Sequence, residues 1–467
     1  MEKPVTHPME KTVPAFPLHP ECPDLRRLAD DPAQALLRAE ADIVAAENAA
    51  EADRYRRLED LEEAQQDGRG VTRRTFVAGA AATATALATA QFVTTSASFA
   101  ATRTGTLIHV FLYGGLDGLS LVAPADDPVL AKARPDLLLG DDSLALGRGF
   151  KLTSAFAPLE KWLKAGQLGF VPAASDERLS RSHFQAADAC NLGGLPNETG
   201  GRGWLDSLVD SLGKGTAFRS VGIGSTLPRS LVGTNGALSL NSVGSLRLNG
   251  DDRYRAATEK AIRGLFTGIN HPVEEAVIEG MGALSTAQQL AAKPYQPAEG
   301  VKYEGVGYAF GQLAQLIKGG ANVRVATVGM GGYDTHENQG TRAGGQLHRR
   351  LGELANAMAA FFTDLGDRAA DVTIMVSSEF GRRVASNGGG TDHGHGGVVT
   401  ILSGRELAGS LLGRWDGLGD LDSGDVPEYN NMFDVYGAVA QGRFGLTTAQ
   451  VDRIFPRRKY TPMKLYA

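Results

Sequence analysis

Four short apolar runs, each followed closely by a polar cluster, constrain the fold of this chain more than any other feature. The runs span residues 106–113, 168–172, 323–330 and 372–376. They are rich in β-branched residues and do not alternate with polar positions, which is typical of parallel strands buried on both faces. Helical periodicity lies between them, most clearly over 339–365, and another helix is predicted over 155–165. Strands that alternate with helices predict an α/β three-layer sandwich with a mostly parallel central sheet.

The polar clusters contain carboxylates, imidazoles, arginines and a serine at separate places in the sequence. In open parallel sheets, ligands bind outside the carboxyl ends of the strands, so clusters that follow strand ends converge on one crevice. A structural role explains any single residue, but it explains the whole set less well. The candidate site residues are Asp117, Arg181, Ser182, His183, Asp334, His336, Glu379, Arg382, Asp392, His393 and His395.

The segment 377–397 holds the densest of these clusters. It contains Glu379, Asp392, His393 and His395, and thus places two of the nine histidines of the chain within three residues. Carboxylate oxygens and imidazole nitrogens are donors that suit a metal ion. The alternative is a polar loop whose glycines only permit tight turns. The donor types favour a metal or catalytic site.

Three further candidates have both a metal-binding and a structural interpretation. Asp334 and His336 are two residues apart, so in an extended segment their side chains point the same way and can share an ion. Asp117, in the sequence GGLDG, either binds metal or forms a turn. The pair at 334 and 336 therefore favours ligation more strongly than Asp117 does.

The candidates for catalysis are equally open to two interpretations. Ser182 lies at a predicted helix start and is either a nucleophile or an N-cap. His183 follows it, where backbone N–H groups and the helix dipole favour an anion. Arg181 and Arg382 either hold an oxyanion through forked hydrogen bonds or form salt bridges.

The N-terminal hundred residues predict an exported protein. Residues 1–71 form a leader, proline-rich and without periodicity at first, then charged and alanine-rich. Residues 72–100 contain Arg73–Arg74, an uncharged run over 77–92 and Ser98-Phe99-Ala100, which together are typical of a twin-arginine signal. The alternative is a chance arginine pair before an alanine-rich helix. The mature domain is then 101–467, periplasmic or secreted, with the twin-arginine export machinery as a partner.

Composition excludes several function classes. The formal charge of −6, without a basic stripe interleaved with aromatics, gives no reason to expect nucleic acid. No stretch after the signal is apolar over the length of a membrane span, so no stable span is expected after cleavage. Cys22 and Cys190 fit no zinc or redox spacing, and Cys22 precedes the predicted cleavage site. A disulfide in the mature protein is therefore not expected.

At these residues the chain resembles the DUF1501 family of exported proteins. The resemblance rests on the twin-arginine leader and on GGLDG at 114–118, SRSHF at 180–184, GGYDTHENQ at 331–339, and SEFGRR with GTDHGHGG across 378–397. These motifs cover nearly all of residues 105–455. The family is similar to the alkaline phosphatase and sulfatase superfamily, and this similarity implies an alkaline-phosphatase-like, two-metal hydrolase fold.

The resemblance implies roles for the residues of the first three motifs. Asp117 matches the metal-binding aspartate after the first strand. Ser182 matches the region where those enzymes place a nucleophile at a helix start. Asp334 and His336 look like the first Asp–His metal pair, although their spacing is shorter than in the phosphatases.

The last motif, across 378–397, also resembles the superfamily but differs from it at one pair of residues. Glu379 stands where an aspartate normally follows its strand, and Glu379–Phe380 replaces an Asp–His pair. His393 or His395 would supply the late histidine ligand. No cysteine near the serine suggests the modified nucleophile of the sulfatases.

The first functional hypothesis is an exported metal-dependent hydrolase of a phosphate or sulfate ester. Two cations would clamp the ester, Ser182 would attack in line, and Arg181 or Arg382 would neutralise charge on the equatorial oxygens. One or two ions of zinc, manganese, calcium or magnesium fit a ligand set without thiolates, and imidazole favours the transition metals. The expected substrate is a small anionic ester or a sulfated or phosphorylated polymer.

The second hypothesis is a non-catalytic, metal-stabilised secreted protein that binds a glycan or a protein partner. A full ligand set with an accessible serine favours the hydrolase, whereas a site without a nucleophile favours the binding protein. Glu379 in place of the usual aspartate also favours the binding protein. A redox role is disfavoured by the cysteine count and by the lack of a haem or dinucleotide motif.

Overall fold

The computed structural model describes residues 105–248, 252–269, 271–292, 294–456 and 458–467. The predicted leader at 1–71 and the predicted twin-arginine segment at 72–100 lie outside the described residues. The structure therefore concerns the mature domain predicted from the sequence, and it leaves the export signal as a prediction.

The strands form one large central sheet and two small sheets. The strands are β1 (Thr106–Leu112), β2 (Val122–Pro124), β3 (Leu144–Gly147), β4 (Phe150–Leu152), β5 (Leu168–Ser175), β6 (Ser220–Ile223), β7 (Leu238–Leu240), β8 (Val325–Met330), β9 (Val372–Ser378), β10 (Arg382–Ser386), β11 (Thr391–His393), β12 (Gly397–Ser403) and β13 (Asn430–Asn431). The central sheet has eight strands in the order β13-β5-β12-β9-β1-β8-β6-β7. Strand β12 runs antiparallel to its neighbours β5 and β9, and the other pairs in this sheet are parallel. The predicted mostly parallel sheet is confirmed.

Helices cover both faces of this sheet. They are α1 (Gly118–Leu121), α2 (Pro128–Ala133), α3 (Glu160–Lys164), α4 (His183–Leu192), α5 (Pro196–Thr199), α6 (Trp204–Leu212), α7 (Asp252–Phe266), α8 (Pro272–Ala291), α9 (Gly307–Lys318), α10 (Gln346–Leu365), α11 (Met432–Phe444) and α12 (Thr448–Ile454). Within the described ranges, none of these helices has both the length and the apolar character that a membrane crossing requires.

Alternate residues of β1 face two different cores, because successive side chains of a strand point to opposite faces. Ile108 and Val110 belong to one core, which includes apolar residues of α9 and α10. Leu107 and Phe111 belong to the other, with residues of α6, α11 and α12. Every residue of β1 is buried, which explains the uninterrupted apolar run in the sequence. The predicted three-layer α/β sandwich is confirmed.

Two predicted helices differ from the helices in the structure, and the first of these differences affects the site. The helix predicted over 339–365 begins at Gln346, because Gly340 and Gly344 have φ values of 56° and 91° in the preceding loop. The helix predicted over 155–165 is split into a 3-10 segment, Ser154–Leu159, and α3, with Pro158 inside the 3-10 segment. The first difference leaves 331–345 as a loop.

Candidate metal centre

Three central strands end at the same level and bring their following residues together. Leu112, the last residue of β1, lies opposite Met330 of β8 and Ser378 of β9. The next residues along each strand are the predicted clusters at 113–117, 331–336 and 379–382. Strand β12 is antiparallel and begins at this same edge, which brings in the loop before Gly397. The topology therefore places the predicted clusters at the carboxyl edge of the sheet.

His183, Asp334 and His393 form the core of the site. Each offers one ligand atom, and these atoms all lie within 4.8 Å of one another. Nε2 of His183 lies 3.4 Å from Oδ2 of Asp334, and Nε2 of His393 lies 3.6 Å from Oδ1. The Asp334 side chain is 47% exposed, whereas that of His393 is 8% exposed. The cluster is thus anchored in the protein and open on the carboxylate side.

The hydrogen bonds of both histidines direct Nε2 toward Asp334. Nδ1 of His393 donates to the carbonyl oxygen of Arg181 across 2.9 Å, since a carbonyl can only accept. Nδ1 of His183 lies 2.8 Å from Oε1 of the buried Glu379. Nε2 of His183 is buried and makes no hydrogen bond within the described part of the chain. An outer nitrogen held by an acceptor, with the inner nitrogen directed toward a shared ligand position, is the usual arrangement of metal-ligating histidines, so these residues fit a cation.

Glu379 contacts Nδ1 of His183 and is itself held by two further hydrogen bonds. Its Oε1 also accepts the amide N–H of Gly114 at 2.7 Å, and its Oε2 accepts the hydroxyl of Ser378 at 2.9 Å. Burial alone would raise the pKa of Glu379, but hydrogen bonds from His183 and Gly114 hold it below its usual value. Glu379 is therefore an ionised acceptor behind His183, outside the group of three close ligand atoms.

The charges around the cluster determine where protons lie. Burial would lower the pKa of His183, yet Asp334 and Glu379 outweigh it and raise this pKa to about 9. Burial likewise favours a raised pKa for Asp334, but the close imidazoles of His183, His336 and His393 and the charge of Arg382 hold it well below its usual range. For His393, burial dominates and lowers the pKa. A cation that binds here displaces the proton of His183.

His336 and Asp392 lie beside the cluster and contact each other. Nε2 of His336 lies 3.1 Å from Oδ1 of Asp334 and 2.9 Å from Nε2 of His393. Its Nδ1 lies 3.2 Å from Oδ1 of Asp392, which also accepts Nδ2 of Asn387 at 3.1 Å. The Asp–His pairing orients the imidazole of His336 toward the cluster.

Arg382 places a fixed positive charge beside Asp334. Its buried guanidinium donates to Oδ1 of Asp334 at 2.6 Å, to Gly115 O at 2.6 Å and to Thr391 O at 2.7 Å. It also donates to the carbonyl oxygen of Gly114. One carboxylate oxygen of Asp334 is therefore already paired with a cation of the protein.

Asp117, expected as a ligand, has its carboxylate engaged elsewhere. Arg134 Nη1 lies 2.7 Å from Oδ2 and 3.0 Å from Oδ1 of Asp117, and both side chains are buried. Gln339 Nε2 and the Ser120 hydroxyl add hydrogen bonds at 2.6 and 2.8 Å. An arginine thus supplies the positive charge that a metal was expected to supply.

Three other expected residues lie next to the cluster without joining it. The side chain of Arg181 forms an ion pair with the buried Asp425. His395 lies near the same carboxylate: burial raises the pKa of Asp425, while Arg181 and His395 oppose that rise. The hydroxyl of Ser182 is buried and has no hydrogen-bond partner among the described residues.

A cleft of about 560 Å³ opens beside the cluster. Its lining includes His183, Asp334 and Glu379 of the site, together with Phe184 and Arg229. The cluster can therefore be reached by a ligand.

Sequence reasoning identified His183 as a catalytic residue rather than as a ligand, and it missed Gly114 and Arg134. A histidine at the start of a helix that follows a central strand was the signal for His183. Nothing in the sequence indicated that the Gly114 amide binds Glu379, because those residues are 265 positions apart.

Comparisons with solved structures return matches of low identity and low TM-score. The lipoteichoic acid synthase LtaP from Listeria monocytogenes is 9% identical, with a TM-score of 0.32, over 79% of this chain and 80% of that one. The PsFucS1 sulfatase from Pseudoalteromonas sp. is 10% identical, with a TM-score of 0.33, over 78% and 73%. The alkaline phosphatase from the Antarctic bacterium TAB5 is 9% identical, with a TM-score of 0.25, over 64% and 90%. No inference about activity rests on similarities this weak.

Sequence comparison gives a clearer result. No curated protein matches the chain significantly. The DUF1501 family, described as a protein of unknown function, matches residues 196–434, which is just over half of the chain. That span includes Asp334, Glu379 and His393, and it ends within α11. The chain therefore belongs to the DUF1501 family.

Proposed function

We propose that this protein is an exported metal-dependent hydrolase that cleaves a phosphate or sulfate ester. The observation that supports this proposal is the convergence of His183, Asp334 and His393 within 4.8 Å, at the edge of an open cleft. Catalytic metal sites commonly have three protein ligands and keep a further position for water or substrate. A centre of this kind, placed where a ligand has access, supports the proposal of a hydrolase.

The donor set favours one cation rather than two. Two imidazole nitrogens and one carboxylate oxygen suit zinc or manganese better than calcium or magnesium. Oδ1 of Asp334 is already paired with Arg382, and Asp117 is paired with Arg134. These two guanidinium groups neutralise carboxylates that the two-metal hypothesis assigned to ions.

The residues around the cation have distinct roles in this proposal. A bound divalent cation supplies Lewis-acid polarisation of the ester and acidifies a coordinated water. Glu379 fixes the ring of His183, and Arg382 fixes Asp334. His336 would donate from Nδ1 to Asp392, so its Nε2 would accept a proton from the water and pass it to the leaving oxygen. Water is the proposed nucleophile, because no described base is hydrogen-bonded to the Ser182 hydroxyl.

The same serine favours the second candidate, a metal-stabilised secreted protein that binds a glycan or protein. A buried hydroxyl that is not hydrogen-bonded to a base is not an activated nucleophile. A site without an activated nucleophile is the feature that favours the binding protein over the hydrolase. The hydrolase is the stronger proposal because the metal cluster lies open to a cleft, whereas a purely structural ion is usually closed off by protein ligands.

Metal analysis of the purified mature protein tests the proposal, followed by a panel of chromogenic phosphate and sulfate esters. We expect about one ion per chain in the wild type. His183→Ala and His393→Ala should both lose the ion and the esterase activity together. The matched control is His348→Gln on α10, where the ring bonds Ser154 at 3.1 Å. Metal content that stays at the wild-type level in both alanine variants would overturn the site, and metal without any ester cleavage would favour the binding protein.

Export is part of the proposal and rests on the sequence alone. Replacing Arg73 and Arg74 by lysine should leave the protein in the cytoplasm with its leader intact. The control replaces Arg56 and Arg57, a second arginine pair within the leader. Export of the Arg73/Arg74 double variant at the wild-type level would contradict the proposed periplasmic or secreted location.

A further inference from the structure

Two adjacent clefts, one of them beside the metal centre, share Gly331 in their linings, and together they are called the trough. The cleft of about 560 Å³ and a second cleft of about 350 Å³ both include Gly331, the first residue after β8. A Cβ atom built at Gly331 would meet nothing within 4 Å. Each cleft is in the size range of an ordinary ligand pocket. The trough therefore extends past Asp334 and far exceeds the space that a phosphate or sulfate group needs.

Aromatic side chains line this trough on both sides of Gly331. Phe184 is 81% exposed and Tyr113 is 42% exposed in the first cleft, and Tyr308 is 50% exposed in the second. Among the described residues, these three are the only exposed large aromatics besides Tyr254 of α7. Exposed aromatics concentrated along a groove mark a binding surface, and their faces pack against flat apolar faces of ring-shaped ligands.

An arginine lies in each cleft. Arg229 lines the first and forms an ion pair with Asp188 at 2.8 Å, and Arg350 lines the second and pairs with Glu353 at 3.0 Å. Their side chains are 41% and 42% exposed. Surface ion pairs of this kind contribute only about 0–1 kcal/mol, so an anionic ligand can replace the carboxylate partner. Guanidinium groups bind sulfate and phosphate through two parallel hydrogen bonds.

The floor of the trough argues against a peptide ligand. Extended peptides usually bind by adding a strand to an open sheet edge. Strand β8, which leads into the trough, is paired on one side with β1 and on the other with β6. It offers no free backbone edge to a peptide. Ring-shaped units that carry anionic groups fit the presence of both aromatic and arginine side chains in each cleft better.

We infer that the substrate is a polymer of sugar rings bearing sulfate or phosphate esters, which lies along the trough and continues on both sides of the ester that is cleaved. This inference rests on the proposed function. In the reaction, water adds to the sulfur or phosphorus atom and the bond from that atom to the sugar oxygen breaks. The sugar oxygen leaves as a hydroxyl with a proton from the water, and inorganic sulfate or phosphate is released.

The test compares oligosaccharides of increasing length. Chondroitin sulfate oligosaccharides and phosphorylated maltodextrins, from monosaccharide to hexasaccharide, are bound to the metal-loaded wild type and followed by calorimetry. Released sulfate or phosphate is measured by ion chromatography, which also distinguishes the two esters. The variants are Phe184→Ala and Tyr308→Ala, and the matched control is Tyr254→Ala, which is 64% exposed on α7. Thermal melts confirm that all three surface variants fold.

We expect the dissociation constant of the hexasaccharide to rise about tenfold in Phe184→Ala and in Tyr308→Ala, as one stacked aromatic contributes on that order. Tyr254→Ala should bind as the wild type does. Affinity that does not depend on length, Tyr308→Ala binding like the control, or tighter binding of a phosphopeptide of similar length would each overturn the inference.

The outcomes also separate this inference from the proposed function. Length-dependent binding without release of sulfate or phosphate supports the polymer surface and refutes the hydrolase. Cleavage of short chromogenic esters without any preference for longer sugars supports the hydrolase and refutes the polymer surface.

Discussion

Asp117 and Arg134 form a buried ion pair, with Nη1 of Arg134 2.7 Å from Oδ2 of Asp117 and both side chains at 1% exposure or less. Arg134 also donates to the carbonyl oxygen of Val384 at 2.7 Å. The pair therefore joins the loop after β1 to β10, and we expect it to contribute to the stability of the fold.

Arg134→Ala should lower the free energy of unfolding by about 3–5 kcal/mol, because it leaves a buried carboxylate without its cation. Denaturant titration measures this loss. Lys214→Ala removes one member of an exposed pair, with Glu275 at 3.1 Å, and should cost less than about 1 kcal/mol.

The companion variant Asp117→Asn tests the metal directly. We expect folded Asp117→Asn protein to contain as much metal as the wild type. Loss of the ion from folded protein would show that Asp117 is a ligand after all, as the sequence resemblance implied.

Glu379→Gln should weaken metal binding by about 10–100-fold without abolishing it, because an outer partner that orients a ligating histidine contributes on that order. His183 would keep a hydrogen-bond acceptor but lose the negative charge behind its ring. Competition with a chelator measures the affinity. Glu353→Gln, on the surface of α10, is the control and should bind metal as the wild type does. Complete loss of the ion from folded Glu379→Gln protein would indicate direct ligation by Glu379.

Gly114→Ala should disrupt the metal centre. Gly114 has a φ of 122°, and a Cβ atom there would lie 2.2 Å from the backbone nitrogen of Asp334. Asp334 must therefore move, and metal content should fall. Gly388→Ala is the control, because Gly388 also has a positive φ, of 94°, but open space around its Cβ position. Both variants carry backbone strain of about 1–2 kcal/mol, so metal loss in Gly114→Ala alone identifies the clash as the cause.

His109 should make the protein sensitive to acid. Its ring is fully buried in β1, and burial lowers its pKa from 6.5 to about 3. Between these values the unfolded chain binds more protons than the folded one, so the free energy of unfolding falls as the pH falls. Above about pH 6.5 neither state is protonated and this loss is absent.

The measurement compares denaturant unfolding at about pH 7 and about pH 4.5 in the wild type and in His109→Gln. The stability of the wild type should fall by about 2–3 kcal/mol more than that of the variant over this interval. His348→Gln should behave as the wild type. Equal losses in the wild type and His109→Gln would show that His109 does not contribute.

The sequence predicted which strands lead to the site, but it did not predict which partner each side chain contacts. Buried apolar runs and their polar ends identified β1, β8 and β9, and parallel geometry then required that Asp334, Glu379 and His393 approach one another. The partner of Asp117 could not be foreseen, because nothing local distinguishes a carboxylate that binds metal from one that binds Arg134. The start of α10 was misplaced because periodicity continues into a loop that glycines hold in positive φ.

Arg382 also fixes several segments of the site during folding, before any ligand binds. One planar cation joins the loop after β1, strand β11 and the loop after β8 through the oxygens of Gly115, Thr391 and Asp334. The conformational entropy of these segments is thus lost when the chain folds, and not when a ligand arrives. In the proposed function, metal and substrate would then meet a surface whose shape is already determined, and a single buried side chain holds its segments together.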